Sequence, residues 1–234
     1  MEKRALLYEG KAKHIYETSD PEVVWIEYKD EATAFNGEKK STIDGKGKLN
    51  NVISSLLFEV LHDKGIESHF IKKLSDTEQL VKNVQIIPLE VVVRNVAAGS
   101  LAKRLGMEEG EVLPEPIVEF YYKNDDLGDP LLTKDHIRIL GLVEETELSL
   151  LRQKGLAVND VLVPYFKALN IDLIDFKLEF GIDSDGEVLL ADEISPDTCR
   201  LWDSETKQKL DKDVFRRNLG SLTETYGQLL ERLT

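Results

Sequence analysis

The stretch LIDFKLEFGIDSDGEVLLAD, residues 173–192, predicts the β-hairpin around which the rest of the chain is interpreted. Residues 173–182 alternate between apolar and charged side chains, which is the period of a strand with one face toward a core. The sequence SDG at 184–186 is typical of a tight turn, and the mainly apolar residues 188–192 predict a returning strand. Two antiparallel strands are therefore expected in the second half of the chain.

One face of the first strand carries alternating charge. Asp175, Lys177 and Glu179 are spaced two residues apart, so their side chains share a face opposite three apolar ones. The hairpin brings Asp192 close to Glu179, and two converging carboxylates suit Mg²⁺, which takes few protein ligands beside phosphate oxygens. The alternatives are a surface charge ladder on a half-exposed strand and, for the EISPD segment at 193–197, a turn with capping roles.

Strands dominate the first half of the chain, and helices dominate the second. Strands are predicted at residues 5–9, 14–17, 23–28, 69–73, 84–96, 117–122, 173–182 and 188–192, and helices at residues 48–61, 100–105, 144–169 and 213–233. Pro88 lies inside a strand pattern and predicts an edge, a bulge or a change of path. The layout indicates an α+β fold, with an antiparallel sheet-rich N-terminal lobe at 1–88 and a mixed α/β lobe at 89–234.

The bulk composition excludes several classes of protein. The 234 residues include 30 basic and 44 acidic side chains, and the net charge of −14 repels nucleic acid and anionic membranes, so neither is an expected partner. No apolar run approaches the roughly 18 residues of a membrane span, and the N-terminus lacks the apolar segment of a secretory signal. The single Cys199 excludes an intramolecular disulfide, which suits a cytoplasmic protein.

Three basic segments are candidate sites for anionic ligands. Lys11 and Lys13 follow Gly10 on one face of a predicted strand, which suits either a lid over polyphosphate or an ordinary turn with solvated lysines. Arg94 precedes a helix start at Ser100, a combination that binds phosphate unless Ser100 only caps the helix. Residues 33–48 are predicted to form a polar, glycine-punctuated loop, and the basic stretch at 39–51 either closes over an anionic substrate or stays solvated.

Five segments, in order along nearly the whole chain, together resemble the bacterial phosphoribosylaminoimidazole-succinocarboxamide synthase (SAICAR synthetase) family. They are GKAKHIY (10–16), STIDGKGKLNN (41–51), PLEVVVRNVAAGS (88–100), DFKLEFG (175–181) and DEISPDTCRLWD (192–203). The resemblance implies a small antiparallel nucleotide lobe joined to an α+β lobe, related in architecture to kinase and ATP-grasp folds. It also implies a homodimer.

The resemblance implies an activity and a set of site residues. The activity is a carbon–nitrogen ligation in purine biosynthesis, in which ATP, carboxyaminoimidazole ribonucleotide and L-aspartate give the succinocarboxamide product, ADP and phosphate. The implied site residues are Lys11, Ala12, Lys13, Ile86 and Lys123 for ATP; Arg94, Ser100 and Arg200 for the substrate phosphate; Glu179 and Asp192 for Mg²⁺; and Lys177, Asp175 and Asp197 as catalytic residues that orient the imidazole end and the metal shell.

One position departs from the family pattern, and two other functions stay open. Many family members carry an acid where this chain has Asn36, which puts an ionic role for that position in doubt. A small-molecule kinase with the same nucleotide lobe would release ADP without any need for aspartate. A nucleotide-binding protein without activity would bind without turnover, and would leave the acid–base–acid strand unexplained.

Overall fold

The computed structural model describes residues 1–34 and 37–234, so the prediction about Asn36 lies outside the described residues. The strands are Lys3–Glu9 (β1), Lys13–Thr18 (β2), Val23–Tyr28 (β3), Glu31–Ala34 (β4), Lys39–Thr42 (β5), Phe70–Lys73 (β6), Glu78–Lys82 (β7), Gln85–Val96 (β8), Val112–Tyr122 (β9), Leu131–Leu132 (β10), Ile171–Ile182 (β11), Val188–Ala191 (β12) and Cys199–Asp203 (β13). The helices are Lys46–His62 (α1), Gly99–Leu105 (α2), Lys134–Leu140 (α3), Glu145–Ala168 (α4), Asp213–Arg216 (α5) and Leu222–Leu233 (α6). The α+β fold class is confirmed.

The first sheet is antiparallel and has the strand order β1-β2-β3-β7-β6. Its β3 strand is rich in β-branched and aromatic residues, which favour a pleated, half-buried surface. Val24, Ile26 and Tyr28 of β3 pack with Val81 of β7 into a small core. The predicted meander with a tight turn at Gly10 is confirmed, and the Gly10 N–H donates to the Lys13 carbonyl at 2.8 Å.

The second sheet has the order β10-β9-β8-β11-β12, and β13 also pairs with β11. The predicted hairpin is confirmed as β11 and β12, with Glu179 opposite Ala191. On the apolar face, Phe176, Leu178 and Phe180 belong to the main core that α4 covers. Gly155 permits this close packing, because a Cβ there would lie 3.2 Å from Val91 Cγ1. The charged face of β11 is left for the site.

A bulge explains how a proline fits inside β8, which has neighbours on both sides. The pairing of β8 with β11 shifts register between the Glu90–Glu179 and Ile86–Gly181 pairs, and Pro88 lies in that interval. An irregularity of this kind removes the need for the ladder N–H that proline lacks. The bulge alternative for Pro88 is therefore the one that the structure adopts.

The two sheets meet around α1. Leu57 and Phe58 of α1 belong to the same core as Tyr226 and Leu229 of α6. The chain leaves the first sheet at Lys82 and enters the second at Gln85, while the division into lobes at residue 88 stays a prediction. Among the described residues, no helix combines the length and apolarity that crossing a membrane requires.

Three local predictions are wrong, each for a physical reason. The polar segment 33–48 contains the end of β4 and all of β5, which were missed because β4 alternates over only four residues and β5 has no buried side chain. The predicted terminal helix is two helices, because Asn218 takes a left-handed φ of 56° between α5 and α6. Ser100 does not cap α2. The N-cap is Ala98, and the Ser100 hydroxyl instead accepts a hydrogen bond from Arg94.

Candidate active site

A cleft of about 440 Å³ lies over the charged face of the second sheet. Strand register builds it: Arg94 of β8 lies opposite Asp175 of β11, and Asp175 lies opposite Arg200 of β13. Lys177, one pleat along β11, faces the same cleft. Of the predicted site residues, the cleft brings together Lys11, Arg94, Ser100, Asp175, Lys177, Asp197 and Arg200.

Asp175 joins the two arginines in a buried row. Its carboxylate lies 2.5 Å from Arg94 Nη1 and 2.9 Å from Arg200 Nη1, and the residue is only 3% exposed. Burial lowers the pKa of each guanidinium, but attraction to Asp175, together with Glu119 for Arg94 and Asp213 for Arg200, outweighs it, so both pKa values are raised. The row therefore stays charged and is aimed at the cleft, as recognition of an anion requires.

Arg94 is held from three further sides. Its Nε donates to Glu119 at 2.8 Å, and its Nη2 donates to the hydroxyls of Ser100 and Tyr121, each at 3.1 Å. Ser100 therefore lies in the first turn of α2 with its hydroxyl toward the guanidinium. The predicted pairing of Arg94 with Ser100 in one site is observed, although the helix cap is not.

Gly99 makes room for Arg200. It has a left-handed φ of 52°, and a Cβ built on it would clash with the Arg200 guanidinium. A side chain at this position would therefore meet two obstacles, backbone strain and displacement of an arginine that lines the cleft.

For the substrates that the family resemblance implies, we expect Gly99→Ala to raise the KM for the ribonucleotide at least tenfold while the KM for ATP changes less than twofold. Gly106→Ala is the matched control, because Gly106 ends the same helix with a φ of 66° and has nothing within 4 Å of its Cβ position. Steady-state kinetics of the two variants separates the effects. Equal rises in the ribonucleotide KM would mean that backbone strain alone is responsible.

The other end of the β11 face carries paired acids and lysines. Lys13 Nζ lies 2.6 Å from Asp192 and 2.9 Å from Glu193, and Lys123 Nζ lies 2.8 Å from Glu179. Asp192 has a left-handed φ of 58°, a conformation that costs a non-glycine residue about 1 kcal/mol or more. Predicted nucleotide-site and metal-site residues are thus in direct contact.

The acids differ in how well their charge is compensated. Burial and the neighbouring Asp192 carboxylate raise the pKa of Glu179, whereas Lys13 and Lys177 overcome burial and lower the pKa of Asp192 to about 2. Lys177 itself lies 2.5 Å from Glu90 and 3.7 Å from Glu179, and these acids raise its pKa against the effect of burial. All of these lysines are therefore charged at neutral pH.

The donors fit Mg²⁺ on chemical grounds. Burial and the neighbouring Asp192 carboxylate disfavour the charged form of Glu179 despite the lysines around it, and a divalent cation bound to both carboxylates would relieve that repulsion. Within the described part of the chain, no three acidic, histidine or cysteine side chains are grouped to hold a metal ion. Mg²⁺ takes few protein ligands beside phosphate and water oxygens, and the assignment of Glu179 and Asp192 to it stays a prediction.

Asp197 lies where three elements meet. Its Oδ2 lies 2.9 Å from Lys46 Nζ and 2.8 Å from Lys212 Nζ, and Tyr226 donates to its Oδ1 at 2.6 Å. Burial opposes ionisation, but the two lysines hold the pKa of Asp197 well below its usual range. These contacts suit a residue that positions Lys212 beside the cleft, and a catalytic role for Asp197 stays a prediction.

Of the remaining predicted ATP residues, only Lys11 lies in the lining of the cleft. Lys11 lines the cleft and pairs with Asp125 at 2.7 Å, whereas Ala12 and Ile86 do not line it. Ile86 is 38% exposed, and the Ala12 carbonyl accepts a hydrogen bond from Lys29. Their assignment to ATP stays a prediction.

Sequence reasoning missed several residues that line the cleft: Glu90, Tyr121, Lys212 and Arg216. The sequence did carry a signal for Glu90. It is spaced two residues from Val92 and four from Arg94 along β8, so its side chain shares the face of Arg94. The basic residues of the DKDVFRR segment at 211–217 had none, since only the fold brings them beside Arg200.

Comparison with known proteins gives the family. The SAICAR synthetase family model matches residues 6–233. The phosphoribosylaminoimidazole-succinocarboxamide synthase of Anoxybacillus flavithermus is 68% identical over 100% of this chain and 97% of its own, and that of Bacillus cytotoxicus is 66% identical over 100% and 98%.

Solved structures agree with the family in fold and sequence. The enzyme of that name from Ehrlichia chaffeensis superposes with a TM-score of 0.95, 48% identity and coverage of 98% of both chains. A SAICAR synthetase in complex with ADP gives 0.94, 50% identity and coverage of 97% of both chains. With its fold, its sequence and nearly its full length matched, this chain belongs to the SAICAR synthetase family.

Proposed function

We propose that this protein is an ATP-dependent carbon–nitrogen ligase. It condenses L-aspartate with the carboxylate of 5-amino-1-(5-phosphoribosyl)imidazole-4-carboxylate and forms the succinocarboxamide ribonucleotide, ADP and phosphate, a step of purine biosynthesis. The strongest support, in a chain that belongs to this family, is the arrangement of charged side chains along its β11. Asp175 anchors two arginines at one end of the charged face, and Glu179 lies among lysines at the other.

ATP would lie at the lysine-rich end of β11. Lys13, Lys123 and Lys177 converge there on Asp192 and Glu179, and such groups can exchange carboxylate partners for phosphate oxygens. The relative solved with ADP supports nucleotide use. Mg²⁺ held by Glu179 and Asp192 would neutralise charge on the phosphate oxygens.

The phosphate of the ribonucleotide would lie at the arginine end. Arg94 and Arg200 present guanidinium groups that Asp175 has already oriented, and Ser100 adds a hydroxyl. Guanidinium groups match phosphate in a forked geometry, and their preorganisation avoids ordering costs when the substrate binds.

The chemistry needs activation of a carboxylate, which is a poor electrophile. One oxygen of the substrate carboxylate attacks the γ-phosphorus of ATP, ADP leaves, and an acyl phosphate forms. The neutral amine of aspartate then attacks the acyl carbon, phosphate departs with that carboxylate oxygen, and the proton that the nitrogen loses passes to the departing phosphate. The protein contributes mainly positioning and charge neutralisation, for which Lys177 lies between the two ends of the face.

The test of this activity is ADP release from purified protein given ATP, Mg²⁺ and the ribonucleotide, with and without L-aspartate. The proposal predicts release that requires aspartate and matches succinocarboxamide formation mole for mole. Release that is indifferent to aspartate would support the kinase alternative, and binding without turnover would support a non-catalytic nucleotide-binding protein.

The metal assignment predicts that Glu179→Gln and Asp192→Asn each lose most of their kcat, because each change removes a charged oxygen ligand. Asp183→Asn is the control, since Asp183 lies in the β11–β12 turn and binds Lys82 away from the cleft. Turnover measured across a Mg²⁺ titration checks the prediction. Near-normal kcat in both variants at saturating Mg²⁺ would exclude these residues as metal ligands.

The family resemblance also carries the proposals that the protein is a cytoplasmic homodimer and that its chain divides into nucleotide and substrate lobes. Sedimentation of the purified protein tests the dimer directly.

A further inference from the structure

A second acidic residue lies behind the arginines of the cleft. Asp211 is completely buried, and its carboxylate accepts the Leu201 N–H at 2.8 Å and the Asp213 N–H at 2.7 Å. Leu201 follows Arg200 on β13, and Asp213 is the first residue of α5. The carboxylate therefore fastens the strand that carries one arginine to the start of the next helix.

Asp213 in turn binds two arginines of the cleft. Its carboxylate lies 3.2 Å from Arg200 Nε and 2.7 Å from Arg216 Nη1, and both arginines line the cleft. Arg200 donates to the Asp175 carboxylate through Nη1. The arginine positions thus depend on where the Asp213 carboxylate lies, and Asp211 fixes the backbone of Asp213.

The buried carboxylate of Asp211 is expected to lower the stability of the fold. In the described parts of the chain, no basic side chain lies within ion-pair distance of Asp211. Burial, and then repulsion from Asp213, raise the pKa of Asp211 to about 7. Arg200 offsets this rise only in part, and a buried carboxylate without an ion-pair partner destabilises a fold, which favours a role other than stability.

We propose that Asp211 is a positioning residue for the anionic substrate, which sets Arg200 and Arg216 by tying β13 to the start of α5. This role rests on the proposed function, because the substrate phosphate is what the arginines receive. It goes beyond that function in assigning part of substrate affinity to a residue that touches no ligand. The change Asp211→Asn would keep the shape of the side chain but offer one acceptor oxygen to two N–H groups.

The test compares the affinities of two ligands in the same variant. Calorimetric titration of Asp211→Asn is expected to give a Kd for the ribonucleotide at least tenfold weaker than wild type, and a Kd for ADP within twofold. Asp203→Asn is the control for a charge change on the same strand, because Asp203 accepts two backbone N–H groups on Oδ1 and binds Arg232 with Oδ2 in a turn that does not reach the cleft. Its ribonucleotide Kd should stay within twofold.

The outcomes separate positioning from general structure. Equal weakening of both ligands, equal weakening in the control, or an unchanged ribonucleotide Kd would each overturn the role. Asp211→Ser, which retains one acceptor without the charge, is judged in the same way if the asparagine variant does not fold. Loss of the folded state in both variants would make Asp211 a structural residue. Failure of the wild type to bind the ribonucleotide would instead overturn the proposed function.

Discussion

Replacing Asp175 by asparagine is expected to lower kcat/KM for the ribonucleotide by about three orders of magnitude, or about 4 kcal/mol of transition-state stabilisation. The carboxylate lies 2.5 Å from Arg94 and 2.9 Å from Arg200 in a buried row. Its loss leaves two guanidinium groups without their shared partner, and removing one member of a buried ion pair costs about 3–5 kcal/mol. Both arginines should therefore reorient, and stability should fall as well.

Steady-state kinetics and urea unfolding of the variant check this prediction. Asp172→Asn is the matched control on the same strand, because Asp172 also binds two cations, Lys167 at 3.0 Å and Lys207 at 2.8 Å. Those lysines are largely exposed, so the control should retain kcat/KM within about twofold. Comparable losses in both variants would show that the arginine row has no special part in substrate binding.

Replacing Lys13 by methionine should have the second-largest effect. Lys13 is buried between Asp192 and Glu193, and Glu179 lies close to Asp192 in the same cluster. Without the ammonium group, several carboxylates would share a poorly solvated space, at a cost of about 3–5 kcal/mol at neutral pH. We also expect kcat/KM for ATP to fall about a thousandfold.

The loss of stability in Lys13→Met should depend on pH in a defined direction. In the wild type, Lys13 and Lys177 hold the pKa of Asp192 near 2, below its usual range, so this contribution to stability is present above pH 4 and is lost toward pH 2. Without Lys13, burial would raise the pKa of Asp192, and the penalty would appear above the new pKa and diminish as the pH falls.

Urea unfolding at pH 5 and pH 8 measures this change. The stability deficit of Lys13→Met relative to wild type should be larger at pH 8. Lys11→Met is the stability control, because Lys11 lies in the same hairpin but forms an exposed pair with Asp125. A deficit that is independent of pH would argue against uncompensated carboxylates as its cause.

Local periodicity was enough to predict the central hairpin. The alternation through Asp175, Lys177 and Glu179 specifies a strand with one apolar face, and the glycine-containing turn specifies its return. The five segments that resemble the family supplied the site residues that periodicity leaves undecided. Where a strand was only four residues long, as in β4, or had no apolar face, as in β5, the alternation signal was too weak and the prediction failed.

Contacts between residues distant in sequence were beyond prediction from spacing. Lys46 is completely buried against Asp197, although a lysine in a glycine-rich loop reads as solvated. Tyr226 reaches the same carboxylate from α6, and Asp211 fastens β13 to α5. Only the packing of α1, α6 and β13 around one core brings these groups together, and no local pattern specifies that packing.

Phosphoryl transfer to a carboxylate is the central claim, and oxygen labelling tests it most directly. The ribonucleotide is prepared with ¹⁸O in its carboxylate, and the phosphate released in the presence of ATP, Mg²⁺ and L-aspartate is analysed by mass spectrometry. The account predicts one ¹⁸O atom in the phosphate of each turnover, because the acyl phosphate passes that oxygen to the leaving group. Phosphate without label, formed at the same rate as ADP, would contradict it.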